Sequence, residues 1–231
     1  KFTNIEKVAW CLSTQTNHSS KAIVFGDSHA HALFAGVLSN DSSRQWQLVA
    51  HHSCPPFRIS NRDPTCEETV NATINELKSK SNIELVVFSM ANRVFREHLP
   101  DFQNLEIQNN LIQDLKDIAA SGKQIVFIRP IPEIAENINN CIKQRRVLHT
   151  FVDTIEQCRV SQESWVTRTK EQNLLWDRIK QEIPTTVEID PSLIICNGTW
   201  CNAIENGNSL YYDRDHLSFY GSHLVAKQMF K

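Results

Sequence analysis

Two short segments, far apart in the chain, hold residue types that suit acyl transfer. The first, Val24-Phe25-Gly26-Asp27-Ser28-His29, runs an apolar stretch into a glycine, an aspartate and a serine. If a helix opens there, the serine hydroxyl stands beside unpaired helix N–H groups and the positive end of the helix dipole. The oxyanion of a tetrahedral intermediate needs donors of that kind. The same residues also suit a plain N-cap serine after a tight turn. The second segment, Tyr211 to Ser218, places Asp213 three residues before His216. A serine at its ordinary pKa is a weak nucleophile, so it needs an imidazole to take its proton and a carboxylate to orient that imidazole. An Asp-x-x-His alone also describes a solvated turn capping a helix, but the two segments together are far less common than either.

The elements that must join these segments follow from hydrophobic periodicity. Buried strands are predicted over 21–25, 46–51, 84–89 and 124–128, with a short one over 187–190. Helices are predicted from Ser28 to about residue 38, and from the capping-box pattern Thr65-Cys66-Glu67-Glu68 to about residue 80. Another passes through Ile107, Leu111, Leu115 and Ile118 and is ended by Gly122; two more cover 162–183 and 217–230. Residues 53–64 read as loop. Arg129-Pro130-Ile131-Pro132 forces an extended exit from the fourth strand, because proline disfavours helix in the residue before it. Residues 133–161 are polar and weakly periodic, and read as a lid or insertion pinned by Cys141 and Cys158. Strand and helix alternate, so the expectation is an α/β fold: one three-layer α/β/α domain over 1–231 around a mainly parallel sheet.

Composition narrows the class further. At 231 residues the chain can build one sizeable core, and a formal charge of −2 with interspersed signs gives no footprint for nucleic acid. No apolar run approaches the roughly 20 residues that span a bilayer. The chain opens at Lys1 rather than a methionine and is read as a piece of something longer. Seven cysteines are generous for a cytosolic enzyme. Spacing suggests the local pairs Cys54–Cys66, Cys141–Cys158 and Cys196–Cys201, leaving Cys11 over. No two cysteines lie two to four residues apart, so a zinc site is not expected. Asn-x-Ser/Thr triplets at Asn17, Asn40, Asn71 and Asn197 fit an exported protein without proving one. His29 and His31 point apart on a helix, and His51-His52 at a strand end face opposite sides, so metal catalysis is not expected either.

Gly26-Asp27-Ser28 near the start and Asp213-x-x-His216 near the end resemble the SGNH (GDSL-type) esterase and acyltransferase superfamily. With the Cys54-Pro55-Pro56 loop, the Pro130-Ile131-Pro132 turn and Asp213-Arg214-Asp215-His216-Leu217-Ser218, the chain more closely resembles the SGNH domains fused behind acyltransferase-3 membrane domains of bacterial polysaccharide O-acetyltransferases. The resemblance implies a flavodoxin-like sheet, Ser28 as nucleophile, His216 as general base and acid, and Asp213 as the orienting carboxylate. Asp215 lies one residue too close to His216 for the family spacing and is placed outside the triad.

The family's two further oxyanion donors map less well. No glycine lies between Gly36 and Gly122, so the second-loop donor falls to a backbone N–H near Ser53 or Cys54. Met90-Ala91-Asn92 keeps the third-loop asparagine without its glycine, and Asn92 could equally satisfy its own loop. The resemblance further implies an acetyl donor delivered by a membrane acyltransferase domain, a cell-envelope glycan acceptor, no cofactor, and an extracytoplasmic place tethered to the inner membrane through the parent chain. A carbohydrate acetylesterase and a non-catalytic glycan-binding domain of the same fold are the alternatives.

Overall fold

The structure, a computed structural model, describes residues 10–14, 21–59, 63–79, 82–141 and 158–231. Its centre is a six-stranded sheet of order β1-β3-β2-β4-β5-β7, formed by β1 (Trp10–Ser13), β2 (Lys21–Gly26), β3 (Gln45–Ala50), β4 (Ile83–Ser89), β5 (Gln124–Ile128) and β7 (Val187–Ile189). β1 pairs antiparallel with β3 and all other neighbours are parallel. The parallel strands thus run in the flavodoxin-like order, with the chain reversing direction across the sheet between β2 and β4. Ligands of open α/β sheets bind at such a switch point, outside the carboxyl ends of the strands.

Alternation along each strand builds two cores. Val24, Leu48, Val87 and Val126 face a core shared with α1 (Ser28–Asn40) and α8 (Phe219–Lys227). Phe25, Val49, Phe88 and Phe127 face the other, covered by α2 (Pro64–Ser79), α5 (Leu105–Ala120) and α6 (Gln162–Glu182). Successive side chains of a strand point to opposite faces, so near-continuous apolar runs are what a sheet covered on both sides demands.

Most predicted elements are present with boundaries shifted by a few residues, and several short elements are new. The second helix does not begin with the Thr65 capping box: Pro64 is its first residue, and the Asp63 carboxylate accepts from the Thr65 N–H at 2.7 Å. Proline suits that position because the N–H it lacks would have had no helical partner. Between β4 and α5 the chain forms the short helices α3 (Asn92–Glu97) and α4 (Leu99–Gln103), absent from the sequence reading. Strand β1 is also new, as are the short helix α7 (Ser192–Ile195) and the pair β6 (Val160–Ser161) and β8 (Trp200–Cys201). The final helix starts at Phe219, capped by Ser218, rather than at 217.

All three expected disulfides are formed, Cys54–Cys66, Cys141–Cys158 and Cys196–Cys201, and Cys11 on β1 is exposed and unbridged. Most of the predicted lid, residues 142–157, lies outside the described residues. Its described start is a buttress: Tyr211 Oη donates to Pro132 O at 2.6 Å, and the amides of Ile134 and Ile138 donate to Arg214 O and Asp213 O, both at 3.1 Å. The proline-rich exit from β5 therefore fixes the loop that carries Asp213 and His216. Among the described residues no helix is long and apolar enough to cross a membrane.

Candidate active site

Ser28 opens α1 at the carboxyl end of β2, and the turn that places it depends on two neighbours. Gly26 pairs with Ser89 of β4, and a Cβ on Gly26 would meet the Ser89 carbonyl oxygen at 1.8 Å, so only glycine lets the strands approach this closely. Asp27 is fully buried and caps the helix, its carboxylate accepting from the His29 N–H at 2.8 Å and from the Ala91 N–H at 2.9 Å. One carboxylate thus ties the Ser28 turn to the start of α3, where Asn92 sits. Burial pushes the Asp27 carboxyl above its usual range, and those two amides oppose the shift.

The tail supplies the partner. Tyr212 N–H donates to His216 O at 2.9 Å, closing the loop, and inside it the Asp213 carboxylate accepts from the amides of Asp215 (3.0 Å) and His216 (2.9 Å). The same carboxylate lies 2.8 Å from His216 Nδ1, and His216 Nε2 lies 2.7 Å from Ser28 Oγ. Ser28, His216 and Asp213 therefore form one unbroken hydrogen-bonded chain. Head and tail meet because α1 packs directly on α8: a Cβ on Gly36 would come within 2.2 Å of the Ser222 backbone. His216 lies just ahead of α8, so this close crossing of helices carries the imidazole to the serine.

A second carboxylate adjoins the ring. Asp215 Oδ1 is 3.2 Å from His216 Nδ1, while its other oxygen is 3.6 Å from His29 Nε2 and 4.0 Å from Arg93 Nε. The shorter, aligned contact is the one to Asp213, which therefore sets the ring's orientation. Asp215, held well below the usual carboxylate range despite its burial by the two histidines beside it, adds negative charge next to the imidazole. Contact with Asp215 is the largest cause raising the His216 pKa, from 6.5 to about 9; burial opposes it and Asp213 adds to it.

Of the predicted auxiliary donors, Asn92 follows Ala91, whose amide is bound by the Asp27 carboxylate next to Ser28, and Ser53 is joined to Arg93. Asn92 is buried at the first position of α3, and neither its Nδ2 nor its Oδ1 has a hydrogen-bond partner among the described residues. An unmet buried amide costs about 1–3 kcal/mol, so this side chain does not satisfy its own loop. Ser53 adopts a left-handed φ of 49° and its hydroxyl accepts from Arg93 at 3.3 Å. The Cys54 N–H is taken by His51 O at 3.3 Å, which leaves the Ser53 amide as the second-loop candidate.

Three further histidines make ring contacts. His29 is fully buried with its ring centre 5.1 Å from that of His216. His31 stacks on Trp10 at 4.5 Å, and His52 meets the same indole edge-on at 4.2 Å. His52 reaches Trp10 because it lies in the turn beyond the end of β3, where strand alternation no longer governs its direction. Trp10, His31 and His52 line, with Ser28, an apolar groove of about 700 Å³, whose rim includes the exposed rings of Tyr212 and Phe219. Asp215, beside His216, also lines a charged cleft of about 650 Å³. Ligand atoms of His29, Asp215 and His216 lie within 4.8 Å of one another, close enough to hold a metal ion. Both ring nitrogens of His216 are already committed to Ser28 and Asp213, so a metal there would break the chain described above.

A lipopolysaccharide acetyltransferase periplasmic domain from Salmonella ser. Paratyphi A has a similar fold, with 21% identity over 94% of this chain and 85% of that one and a TM-score of 0.66. A Bacteroides fragilis protein assigned as an acylhydrolase matches over 99% of this chain and 91% of its own, with 11% identity and a TM-score of 0.55. A search of curated proteins returns no match. The model of the SGNH domain fused to AT3 domains matches residues 2–231, and so this chain belongs to that family.

Proposed function

We propose that this domain transfers an acyl group, acetyl in the simplest case, through an ester on Ser28 to a hydroxyl of a cell-envelope glycan. The observation that carries the reading is the continuous chain Ser28 Oγ–His216–Asp213, with contacts of 2.7 and 2.8 Å. In the first half-reaction His216 Nε2 accepts the Ser28 proton as Oγ attacks the acyl carbonyl. The oxyanion is met by the Ser28 amide at the head of α1, by Asn92 Nδ2 and by the Ser53 amide. Collapse breaks the bond to the donor's leaving group, which takes the proton from the imidazolium. In the second half-reaction an acceptor hydroxyl gives its proton to His216 and attacks the ester, and the proton returns to Ser28 Oγ as the product leaves. Asp213 keeps the proton on Nδ1 throughout and stabilises each transient imidazolium.

Membership of a family fused to AT3 domains supports a donor handed over by a membrane acyltransferase partner. Three disulfides support an oxidising, extracytoplasmic compartment, where glycan acceptors are found. The test is to incubate the domain with p-nitrophenyl acetate, with and without oligosaccharide acceptors, and to follow acetylated sugar against free acetate. Sugar acetylation that requires Ser28 supports transfer. Release of acetate alone, unchanged by any acceptor, favours an esterase that uses water.

A further inference from the structure

The cleft on the Asp215 flank has a charge pattern that its internal ion pairs do not use up. Arg93 and Arg96 enter it from α3, Arg168 from α6, and Arg214 from the loop between Asp213 and His216. These side chains come from three separate parts of the chain and converge beside the carboxylate that touches His216. Glu97 and Glu133 also line the cleft. Arg93 pairs with Glu97 at 3.2 Å, and Arg168 pairs loosely with Glu133 at 3.7 Å. Arg96 has no carboxylate within ion-pair distance among the described residues, and the hydrogen bond of Arg214 goes to a backbone oxygen, Ile134 O, at 3.3 Å. Arg168 Nε is buried without a hydrogen-bond partner among the described residues. Among the described residues, and counting Asp215, four guanidiniums meet three carboxylates, and Asp215 is itself engaged by His216, by His29 and, at 4.0 Å, by Arg93. A local positive excess in a chain of net charge −2 is not what a self-neutralising surface network gives.

Guanidinium forks match the planar oxygens of carboxylates and phosphates better than they match neutral hydroxyls. We propose that this cleft binds an anionic sugar of the acceptor glycan, through a carboxylate or phosphate held chiefly by Arg96 and Arg214, and so presents a neighbouring hydroxyl to His216. The proposal rests on the acyl-transfer reading for its placement of the hydroxyl, while the binding itself is measurable without turnover.

Isothermal titration calorimetry on the Ser28→Ala protein, in which no acyl-enzyme can form, would compare trigalacturonate, mannose 6-phosphate and neutral maltotriose. The expected result is that trigalacturonate or mannose 6-phosphate binds at least about tenfold tighter than maltotriose, as one charge-assisted contact can supply. Whichever binds identifies carboxylate or phosphate as the group recognised. That preference should weaken as salt is raised and be lost in Arg96→Gln/Arg214→Gln, with Arg96→Gln alone, at an exposed position, giving part of the effect. Circular dichroism and the thermal midpoint of each variant check its fold. Equal affinity for all three probes, or a preference unchanged by Arg96→Gln and by the double substitution, overturns the proposal. Failure of Ser28 to form an ester would instead overturn the acyl-transfer reading and leave the binding result standing.

Discussion

Ser28 Oγ and His216 Nε2 stand 2.7 Å apart although 188 positions separate them in the chain. The crossing of α1 and α8 produces that distance, and Gly36 is where the crossing is closest. Alanine in place of a helical glycine ordinarily stabilises by about 0.5–1 kcal/mol. Here the added methyl would meet the Ser222 backbone at 2.2 Å, and overpacking of that kind costs about 1–3 kcal/mol. Gly36→Ala is therefore expected to lower the thermal midpoint and, by pushing α8 outward, to lower turnover of p-nitrophenyl acetate; a melt and an initial-rate assay check both.

The pH dependence has a definite sign. His216 must be neutral to take the serine proton, and contact with Asp215 raises its pKa to about 9. Activity of the free enzyme is thus expected to climb with pH and level off near that value. For stability the linkage runs the other way. A raised folded-state pKa gives a contribution that is complete below 6.5 and is lost as pH rises through about 9. Asp215→Asn removes the largest cause of the shift, so the midpoint of the pH–rate profile should move toward acid.

The two carboxylates beside His216 should separate kinetically. Asp213 makes the 2.8 Å contact and fixes the tautomer, and loss of such an orienting group has cost about 10⁴-fold in kcat in a serine protease. With Asp215 only 3.2 Å from the same nitrogen, Asp213→Asn is expected to lose somewhat less, about 10²- to 10³-fold. Asp215→Asn should change kcat much less than it changes the pH midpoint. Steady-state profiles of both variants across pH 5–10 measure the difference.

Asn92 holds a buried amide without a partner among the described residues, next to the turn that carries Ser28. Removing an oxyanion donor typically costs about 10²- to 10³-fold in kcat. Asn92→Ala is expected to show that loss with little change in KM and little loss of thermal stability, since no hydrogen bond among the described residues is broken. A packing residue would show the reverse.

What could be read in the sequence was what local chemistry dictates. A buried apolar run ending in Gly26-Asp27-Ser28 can only deliver its serine to a strand's carboxyl end, and cysteines spaced 5 to 17 residues apart can close local loops. What could not be read depends on partners distant in the chain. Strand β1, four residues long with three exposed, is specified by its pairing with β3 rather than by any pattern of its own. Asp27 was visible as a motif letter, but its bond to Ala91 joins positions 64 residues apart. Arginines at 93, 96, 168 and 214 share no spacing that would announce a common cleft. His29 and Asp215 meet only once the helix crossing has formed.

The central claim is that Ser28 becomes esterified. Rapid acid quench of the domain with p-nitrophenyl acetate, followed by peptide mass mapping, should place one acetyl group on the Ser28 peptide and none in Ser28→Ala, with a strongly reduced yield in His216→Ala. A wild-type protein that turns over the ester while Ser28 stays unmodified, or that carries the label on another residue, would contradict the account.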